Sequence, residues 1–217
     1  MDPGRAACYV GLMRIIGGQA AGRLLRVPPG LDVRPTPDKV KLAVFNSLGD
    51  RVVGARVLDL FAGTGALGLE ALSRGAVGVV SVERSSRHAG FYRANLEATG
   101  MDSGSVALRV QDVFTALKQL AEAGQVFDLV LADPPYGPKN VGKRSTSMAQ
   151  QLLDDPHLPA LLSPDGLFLL GHTKRDTLEL PPAWSECREL RHGDTVMRLL
   201  RVTRDLVGVP VDEPQRA

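Results

Sequence analysis

A short loop in the second half of the sequence combines residue types that could do chemistry. It reads Asp133-Pro134-Pro135-Tyr136 and follows the apolar run FDLVLA, whose composition is typical of a buried strand. The two prolines prevent the strand from continuing and keep the loop stiff. Stiff, polar loops at strand ends commonly carry catalytic groups. The sequence therefore predicts a catalytic loop at this place.

A glycine-rich stretch indicates a cofactor site. The segment DLFAGTGALG spans residues 59–68 and satisfies the pattern G-x-G-x-x-G with Gly63, Gly65 and Gly68, which is a weak signal alone. We interpret Gly68 as a residue that packs helix against sheet rather than as a ligand contact. Glu83 ends the next predicted strand, where an acid would meet the ribose hydroxyls of a nucleotide. Both a dinucleotide and an adenosyl cofactor fit these residues.

The charge of Asp59 separates the two cofactor classes. A dinucleotide brings its pyrophosphate to the glycine loop, and a carboxylate there would repel it. An adenosyl cofactor with an amino-acid tail and a sulfonium is cationic, so Asp59 would attract it while Gly63 and Gly65 let the backbone approach closely. Hydride transfer also offers no role for the loop at residues 133–136. The sequence therefore favours an adenosyl cofactor over a nicotinamide one.

The elements that must position these groups alternate between strand and helix from Arg56 onward. Five apolar runs separated by helical patterns predict an α/β fold with an open, mostly parallel sheet and helices on both faces. One of these helices is expected near residues 147–162. The segment ECRELRHGDTVMRLLRV predicts two more strands, joined by a turn at residues 192–194, as an antiparallel edge. Ligands of such sheets bind beyond the carboxyl ends of the strands, where the acids and the glycine loop fall.

Residues 13–50 predict a small N-terminal extension made of a β-hairpin and a helix. Two short strands, Arg14–Ile16 and Arg23–Val27, flank a glycine-rich turn. In the helix that follows, Thr36 is the expected N-cap and Pro37 the expected first helical residue. The extension should pack against a larger domain.

The larger domain covers residues 51–204, and the chain length of 217 residues suits one such domain. We expect residues 1–12 to be disordered and residues 205–217 to form a frayed tail. Met13 is a candidate for the functional start, because the residues before it show no pattern.

Positive charge is concentrated near the N-terminus. The net charge of the whole chain is only +2, which excludes a polycation that coats nucleic acid indiscriminately. Residues 1–56, however, contain nine Lys and Arg residues but only four Asp residues. This imbalance favours a partner that carries phosphate groups.

The sequence also indicates a compartment. Cys8 and Cys187 lie far apart, which argues against a disulfide framework and fits a reducing environment. No stretch approaches the roughly 20 apolar residues that span a bilayer. The four histidines show no metal-ligand spacing, so no metal is expected. We therefore expect a cytoplasmic protein with no membrane partner.

Taken together, the motifs resemble class I S-adenosylmethionine-dependent methyltransferases that modify exocyclic amino groups of bases. Four segments occur in the order and spacing of the bacterial 16S ribosomal RNA guanine-N2 methyltransferase family: MRIIGGQAAGRLLRVP, RPTPDKVKLAVFNSL, DLFAGTGALGLEALSRGA and ADPPY. The similarity runs from about Met13 to Val202. It implies a Rossmann-like fold with a seven-stranded sheet, and methyl transfer from S-adenosyl-L-methionine to N2 of a guanine in 16S rRNA, free or within a small ribosomal subunit or an assembly intermediate. A monomer is the expected state.

The resemblance also implies a role for each matching residue. The loop at residues 133–136 would hold the target guanine, with the Asp133 carboxylate and the Pro134 carbonyl accepting hydrogen bonds from its amine and Tyr136 stacking on its ring. The implied catalytic residues are Asp133, Pro134, Pro135 and Tyr136; the implied cofactor residues are Asp59, Phe61, Gly63, Gly65, Glu83, Arg84, Asp112 and Val113; the implied RNA-binding residues are Arg14, Arg23, Arg26, Arg34 and Lys139.

One feature departs from the family pattern. The fifth strand of the family often ends in an acid, whereas this chain has Gly171-His172 there. This leaves the exact substrate open. A DNA adenine-N6 or cytosine-N4 methyltransferase, which uses the same loop, and a catalytically silent RNA-binding assembly factor are the alternative hypotheses.

Overall fold

The computed structural model describes residues 13–28, 36–137, 140 and 143–204. The expectations for residues 1–12, Cys8, Arg34, Lys139 and residues 205–217 lie outside this part of the chain. The strands are β1 (Met13–Arg14), β2 (Leu24–Leu25), β3 (Arg56–Leu60), β4 (Gly78–Val82), β5 (Val106–Arg109), β6 (Phe127–Ala132), β7 (Leu162–Thr173), β8 (Trp184–His192) and β9 (Thr195–Val202). The α-helices are α1 (Asp38–Leu48), α2 (Gly68–Ser73), α3 (Ser86–Thr99), α4 (Val113–Glu122) and α5 (Met148–Asp154).

The central sheet has seven strands in the order β5-β4-β3-β6-β7-β9-β8. Strands β3 to β7 are mutually parallel, and β9 runs antiparallel between β7 and β8. The strand order reverses between β3 and β6, and ligands of open α/β sheets bind at such a reversal. Asp59 lies near the end of β3 and Asp133 directly follows β6, so both acids lie at this point. The predicted fold and its antiparallel edge are confirmed.

The strands form because alternating apolar side chains cover both faces of the sheet. On one face, Val57, Leu129 and Leu131 belong to a buried cluster shared with the N-terminal extension. On the other face, Leu58 and Val130 pack with α4, α5 and Trp184. Strands buried on both sides in this way are typical of parallel sheets.

Two local predictions about helices are wrong. Thr36 does not cap α1: the N-cap is Pro37, whose carbonyl accepts from Val40 and Lys41, and no side chain caps this end. The helix expected over residues 147–162 is shorter, because α5 ends at Asp154. A separate 3₁₀ turn, Leu158–Leu161, then leads directly into β7.

The N-terminal extension is attached to the sheet domain through the buried side chain of Glu70 in α2. Its carboxylate accepts hydrogen bonds from the backbone N–H groups of Ile16 and Gly17 at 2.7 and 2.9 Å. The Arg74 guanidinium donates to it at 2.7 Å, and the Lys41 ammonium, itself fully buried, lies 3.8 Å away. Hairpin, α1 and α2 thus meet at one carboxylate.

Asn95 in α3 provides a second attachment. Its side chain accepts from Arg26 N–H at 2.7 Å and donates to the Arg26 and Thr64 carbonyls at 2.9 Å each. Because Thr64 belongs to the glycine loop, this one buried amide joins the extension to the predicted cofactor loop.

Three further predictions concern membranes, metals and cysteines. No helix among them is long and apolar enough to cross a membrane. Within the same residues there is no group of three or more His, Cys, Asp or Glu side chains that could hold a metal. Cys187 is an exposed free thiol.

Candidate active site

A cavity of about 540 Å³ opens at the carboxyl ends of β3, β4 and β6. All four predicted catalytic residues line it, together with Asp59, Phe61, Gly63, Glu83, Arg84, Asp112 and Val113 of the predicted cofactor set. Gly65 does not line the cavity. The N-terminal extension closes one side of it through Met13, Thr36 and Pro37. Sequence motifs far apart in the chain therefore meet in one cavity.

Asp59 is the most buried acid of this cavity, at 1% exposure. Its Oδ2 accepts from the Gly68 N–H at 3.0 Å, and a Cβ atom at Gly68 would lie only 2.6 Å from that oxygen. Gly68 is thus needed for close packing, as interpreted from the sequence. The pKa of Asp59 is raised to about 8, chiefly by burial and also by the charges of Glu83 and Asp133, although the hydrogen bond from Gly68 lowers it. A cationic ligand beside Asp59 would relieve this unfavourable charge.

The glycine loop is held in backbone conformations that are rare for residues with side chains. Gly63 has φ +56° and Gly65 has φ +95°, and Phe61 adopts φ +57° although it is not a glycine. Such conformations concentrate at ligand sites. A Cβ atom at Gly65 would lie 2.7 Å from Leu69 Cδ1, so this glycine shapes the loop from beneath rather than facing the cavity.

Glu83 holds the same loop from the end of β4. Its two carboxylate oxygens accept from Gly63 N–H at 2.8 Å and Ser85 N–H at 2.7 Å. The His88 ring nitrogen Nδ1 lies 3.6 Å from it. A carboxylate fixed in this way at the cavity wall is an acceptor with a defined direction, which suits paired hydroxyl groups of a ribose.

Thr64 carries an orphaned polar atom at the cavity. Its side chain is 2% exposed, and its hydroxyl has no hydrogen-bond partner within the part of the chain that the structure describes. Buried polar groups without partners are rare in native proteins. An amino-acid tail that offers both an ammonium for Asp59 and a carboxylate for this hydroxyl fits the pair, so the residues present fit an adenosyl-amino-acid cofactor.

Asp112 is exposed and caps α4, because its Oδ1 accepts from the N–H groups of Phe114 and Thr115 at 3.0 and 3.1 Å. Val113 next to it is buried and lines the cavity. Capping orients the carboxylate at the cavity rim. Its assignment to the adenine amino group stays a prediction.

The loop at residues 133–136, which is predicted to be catalytic, forms hydrogen bonds with two other segments. The Thr36 hydroxyl donates to Asp133 Oδ2 at 2.8 Å. The Tyr136 hydroxyl lies 3.0 Å from the Thr195 hydroxyl, at the start of β9. The Tyr136 side chain nevertheless remains 36% exposed at the cavity, which leaves ring surface for stacking.

The predicted RNA-binding arginines that the structure describes lie on the extension. Arg14 is exposed and pairs with Asp38 at 2.9 Å, while Arg23 and Arg26 are exposed. Arg144, which follows the predicted catalytic loop, forms ion pairs with Asp154 and Glu179. The extension therefore presents basic side chains on the element that also borders the cavity.

Sequence reasoning missed several side chains of the cavity: Thr36, Thr64, Ser85, His88, Met148 and Thr195. The position of Thr64 inside the glycine loop was an available signal. Thr36 was assigned to helix capping instead. Nothing in the sequence relates Thr195 to the catalytic loop, because their contact depends on the position of β9.

The structure explains why this chain has Gly171-His172 in β7, where the family often has an acid. Gly171 in β7 lies directly against the Asp133 carboxylate, since a Cβ atom there would be 2.6 Å from Oδ1. His172 is buried at 6% exposure, and burial lowers its pKa, as does the nearby Arg198 charge. Its Nδ1 lies 3.0 Å from the Thr173 carbonyl. His172 does not line the cavity, so the pair does not replace a substrate-binding acid there.

Comparisons with known proteins agree with this geometry. A family model described as Conserved hypothetical protein 95 matches residues 13–201. The Ribosomal RNA small subunit methyltransferase D of Escherichia coli (strain K12) is 40% identical over 190 residues, covering 87% of this chain and 89% of that protein. The protein of the same name from Haemophilus influenzae is 32% identical and covers 87% and 93%. The structure of yhhF from Escherichia coli matches with a TM-score of 0.70 and 33% identity, covering 88% of this chain and 98% of that one.

Proposed function

We propose, from the premise that the chain belongs to the Conserved hypothetical protein 95 family, that it methylates the exocyclic N2 of a guanine in 16S ribosomal RNA. Like its named relatives, the chain is a ribosomal RNA methyltransferase. Its methyl donor is S-adenosylmethionine, a cofactor that the cavity residues fit. Membership of this family argues against a nicotinamide cofactor and hydride transfer. The guanine N2 position and the small-subunit partner are the finer parts of the proposal.

One observation supports the proposal more than any other. Buried acids suited to a cationic cofactor and an Asp-Pro-Pro-Tyr loop suited to a base amine line a single cavity. The acids Asp59 and Glu83 lie on β3 and at the end of β4, while Asp133 follows the neighbouring strand β6. Cofactor and amine can therefore be bound side by side.

The cofactor would be held by residues already described. Asp59 would face the ammonium group, Thr64 would donate to the carboxylate of the amino-acid tail, and Glu83 would accept from the ribose hydroxyls. When bound, S-adenosylmethionine supplies a methyl group on a positively charged sulfur. The negative charge of the cavity favours that charge electrostatically.

Asp133 and Pro134 would prepare the amine for attack. The lone pair of an exocyclic base amine is delocalised into the ring, which makes the nitrogen a poor nucleophile. Two acceptors, the Asp133 carboxylate and the Pro134 carbonyl, would favour a more pyramidal nitrogen with its lone pair directed at the methyl group. Such positioning contributes up to ~7–11 kcal/mol in well-aligned reactions. Asp133 would also accept the proton that the nitrogen loses.

The substrate would reach this cavity as a flipped-out base. Stacking on the exposed ring of Tyr136 would be worth about 1–3 kcal/mol, by analogy with proteins that bind single strands. Arg14, Arg23 and Arg26 would contact RNA phosphates beside the cavity, and Arg34 and Lys139 would add to them. We propose that the protein acts as a cytoplasmic monomer on the small subunit or on an assembly intermediate.

The test is transfer of tritiated methyl groups to small ribosomal subunits from cells that lack this protein, followed by nucleoside analysis of the RNA. N2-methylguanosine is the expected product. Label found instead as N6-methyladenine or N4-methylcytosine in DNA would refute the RNA substrate and leave the role of Asp133 intact.

A further inference from the structure

We propose that Thr36 and Gly171 are positioning residues that fix the Asp133 carboxylate from opposite sides, so that the N-terminal extension completes the catalytic loop. This inference rests on the proposed function, because it assigns Asp133 to the reacting amine. It gives the extension a second task besides holding RNA.

Thr36 controls one oxygen of the carboxylate. Its hydroxyl donates to Asp133 Oδ2 at 2.8 Å, and its side chain is only 9% exposed. The bond joins two residues that are 97 positions apart in the chain. A donor held in a mostly buried place keeps a carboxylate in one orientation far better than water does.

The backbone around Thr36 is itself held in place. Pro37 follows it, and α1 begins immediately afterwards with Val40 and Lys41 bound to the Pro37 carbonyl. Lys41 lies 3.8 Å from the buried Glu70 carboxylate, and its ammonium also donates to the Arg14 carbonyl. The helix that directly follows Thr36 and Pro37 is therefore anchored to the sheet domain by a buried ion pair.

Gly171 leaves just enough room for the other oxygen because it has no side chain. The backbone of β7 passes so close to Asp133 that a Cβ atom at position 171 would lie 2.6 Å from Oδ1 and 3.1 Å from Met197 Sδ. Met197 is fully buried in the core, so it has little room to move. A side chain at position 171 would therefore require the Asp133 carboxylate or the β7 backbone to shift. The close approach of β7 to Asp133 thus gives a steric reason for a glycine at position 171.

These two contacts limit how far the carboxylate can rotate or shift. Accurate placement matters, since a displacement of about 1 Å in a catalytic site can lower the rate about 100-fold. Loss of either contact should slow methyl transfer without affecting the groups assigned to the cofactor, Asp59, Thr64 and Glu83.

The first experiment compares Thr36→Val, which removes the donor and keeps the shape, with Thr36→Ser, which keeps the donor. We expect Thr36→Val to lower kcat about 10- to 100-fold at saturating cofactor. Thr36→Ser should stay within about threefold of the wild type. Affinity for S-adenosylhomocysteine, measured by calorimetry, should change less than twofold in both. A crystal structure of Thr36→Val should show the Asp133 carboxylate rotated.

Matched controls separate positioning from general destabilisation. Thr99→Val removes a hydroxyl of similar burial that donates to a helix carbonyl away from the cavity, and it should leave kcat unchanged. Gly171→Ala should lower kcat by a factor similar to that of Thr36→Val. Gly90→Ala, at a helical position where a Cβ atom meets nothing within 4 Å, should have no effect on kcat.

Three results would overturn the inference: an unchanged kcat in Thr36→Val, an equal loss in Thr36→Ser, or a rate loss matched by lost affinity for S-adenosylhomocysteine, which would make Thr36 a cofactor ligand. Failure of the proposed function looks different. If the wild type methylates duplex DNA and not ribosomal RNA, the function is wrong, while the same variants assayed on DNA still decide the role of Thr36.

Discussion

The replacement Asp59→Asn tests the electrostatics of the cavity most directly. Asp59 is fully buried, and its pKa in the folded protein is raised from 3.8 to about 8, chiefly by burial. Between these two values the folded state binds a proton that the unfolded state has released. The stabilising effect of that proton is therefore complete below pH 4 and is lost as the pH rises through 8. Asparagine keeps the shape and removes the titration.

The size of the effect follows from the two pKa values. Each pH unit within that interval lowers the stability of the wild type by about 1.4 kcal/mol relative to a non-titrating residue. With the pKa at about 8, the difference in unfolding free energy between Asp59→Asn and the wild type should grow by roughly 2 kcal/mol from pH 6 to pH 8. This corresponds to about 4–8 °C in Tm for a chain of this size.

The assay is denaturant unfolding of both proteins at pH 6, 7 and 8, without cofactor, in one buffer system of constant ionic strength. The two stability curves should diverge with rising pH. Parallel curves would refute a strongly raised pKa for Asp59. In a second series, affinity of the wild type for S-adenosylhomocysteine should rise up to about fifty-fold from pH 6 to pH 8, because the ammonium favours the ionised carboxylate. Asp59→Asn should bind weakly at every pH and lack this dependence.

Three further replacements test other parts of the structure. Glu70→Ala should lower the free energy of unfolding by about 3–5 kcal/mol in chemical denaturation, because Lys41 would keep a buried charge without its partner; a loss below 1 kcal/mol would contradict the buried pair. Asn95→Leu should lower the free energy of unfolding by at least about 2 kcal/mol and weaken S-adenosylhomocysteine binding in calorimetry. The exposed Asn46→Leu should change neither quantity. Unchanged affinity in Asn95→Leu would mean that Asn95 does not support the cofactor loop. Tyr136→Phe should keep KM for RNA within threefold in methyl-transfer assays, whereas Tyr136→Ala should raise it roughly 5- to 150-fold; equal values for both would exclude stacking.

Much of the fold and of the site could be predicted because both depend on local patterns. Strand-helix alternation predicts a parallel sheet, and a parallel sheet brings the residues that follow its strands to one edge. Asp59, Glu83 and Asp133 could therefore be placed together from the sequence alone. Gly63 and Gly65 both adopt positive φ, which a glycine permits, whereas the positive φ of Phe61 had no signal in the sequence.

The remaining contacts could not be predicted because the partners are distant in sequence. Thr36 precedes a proline and a helix, so its hydroxyl could either cap that helix or donate to a remote carboxylate. Tertiary packing determines which of the two bonds forms. Glu70 and Lys41 each lie on helices where charged residues usually face solvent, yet both are fully buried. The need for glycine at position 171 depends on how β7 lies beside the loop after β6.

The attachment through Glu70 also bears on how the chain can be divided. A fragment beginning after α1 would expose a carboxylate that now satisfies two backbone N–H groups, and it would uncover the face that packs on Val44 and Phe45. Such a fragment should misfold or aggregate rather than survive as a smaller catalytic module. We therefore expect hairpin, first helix and sheet to unfold as one cooperative unit, so the extension proposed to contact RNA could not be removed without loss of the sheet domain.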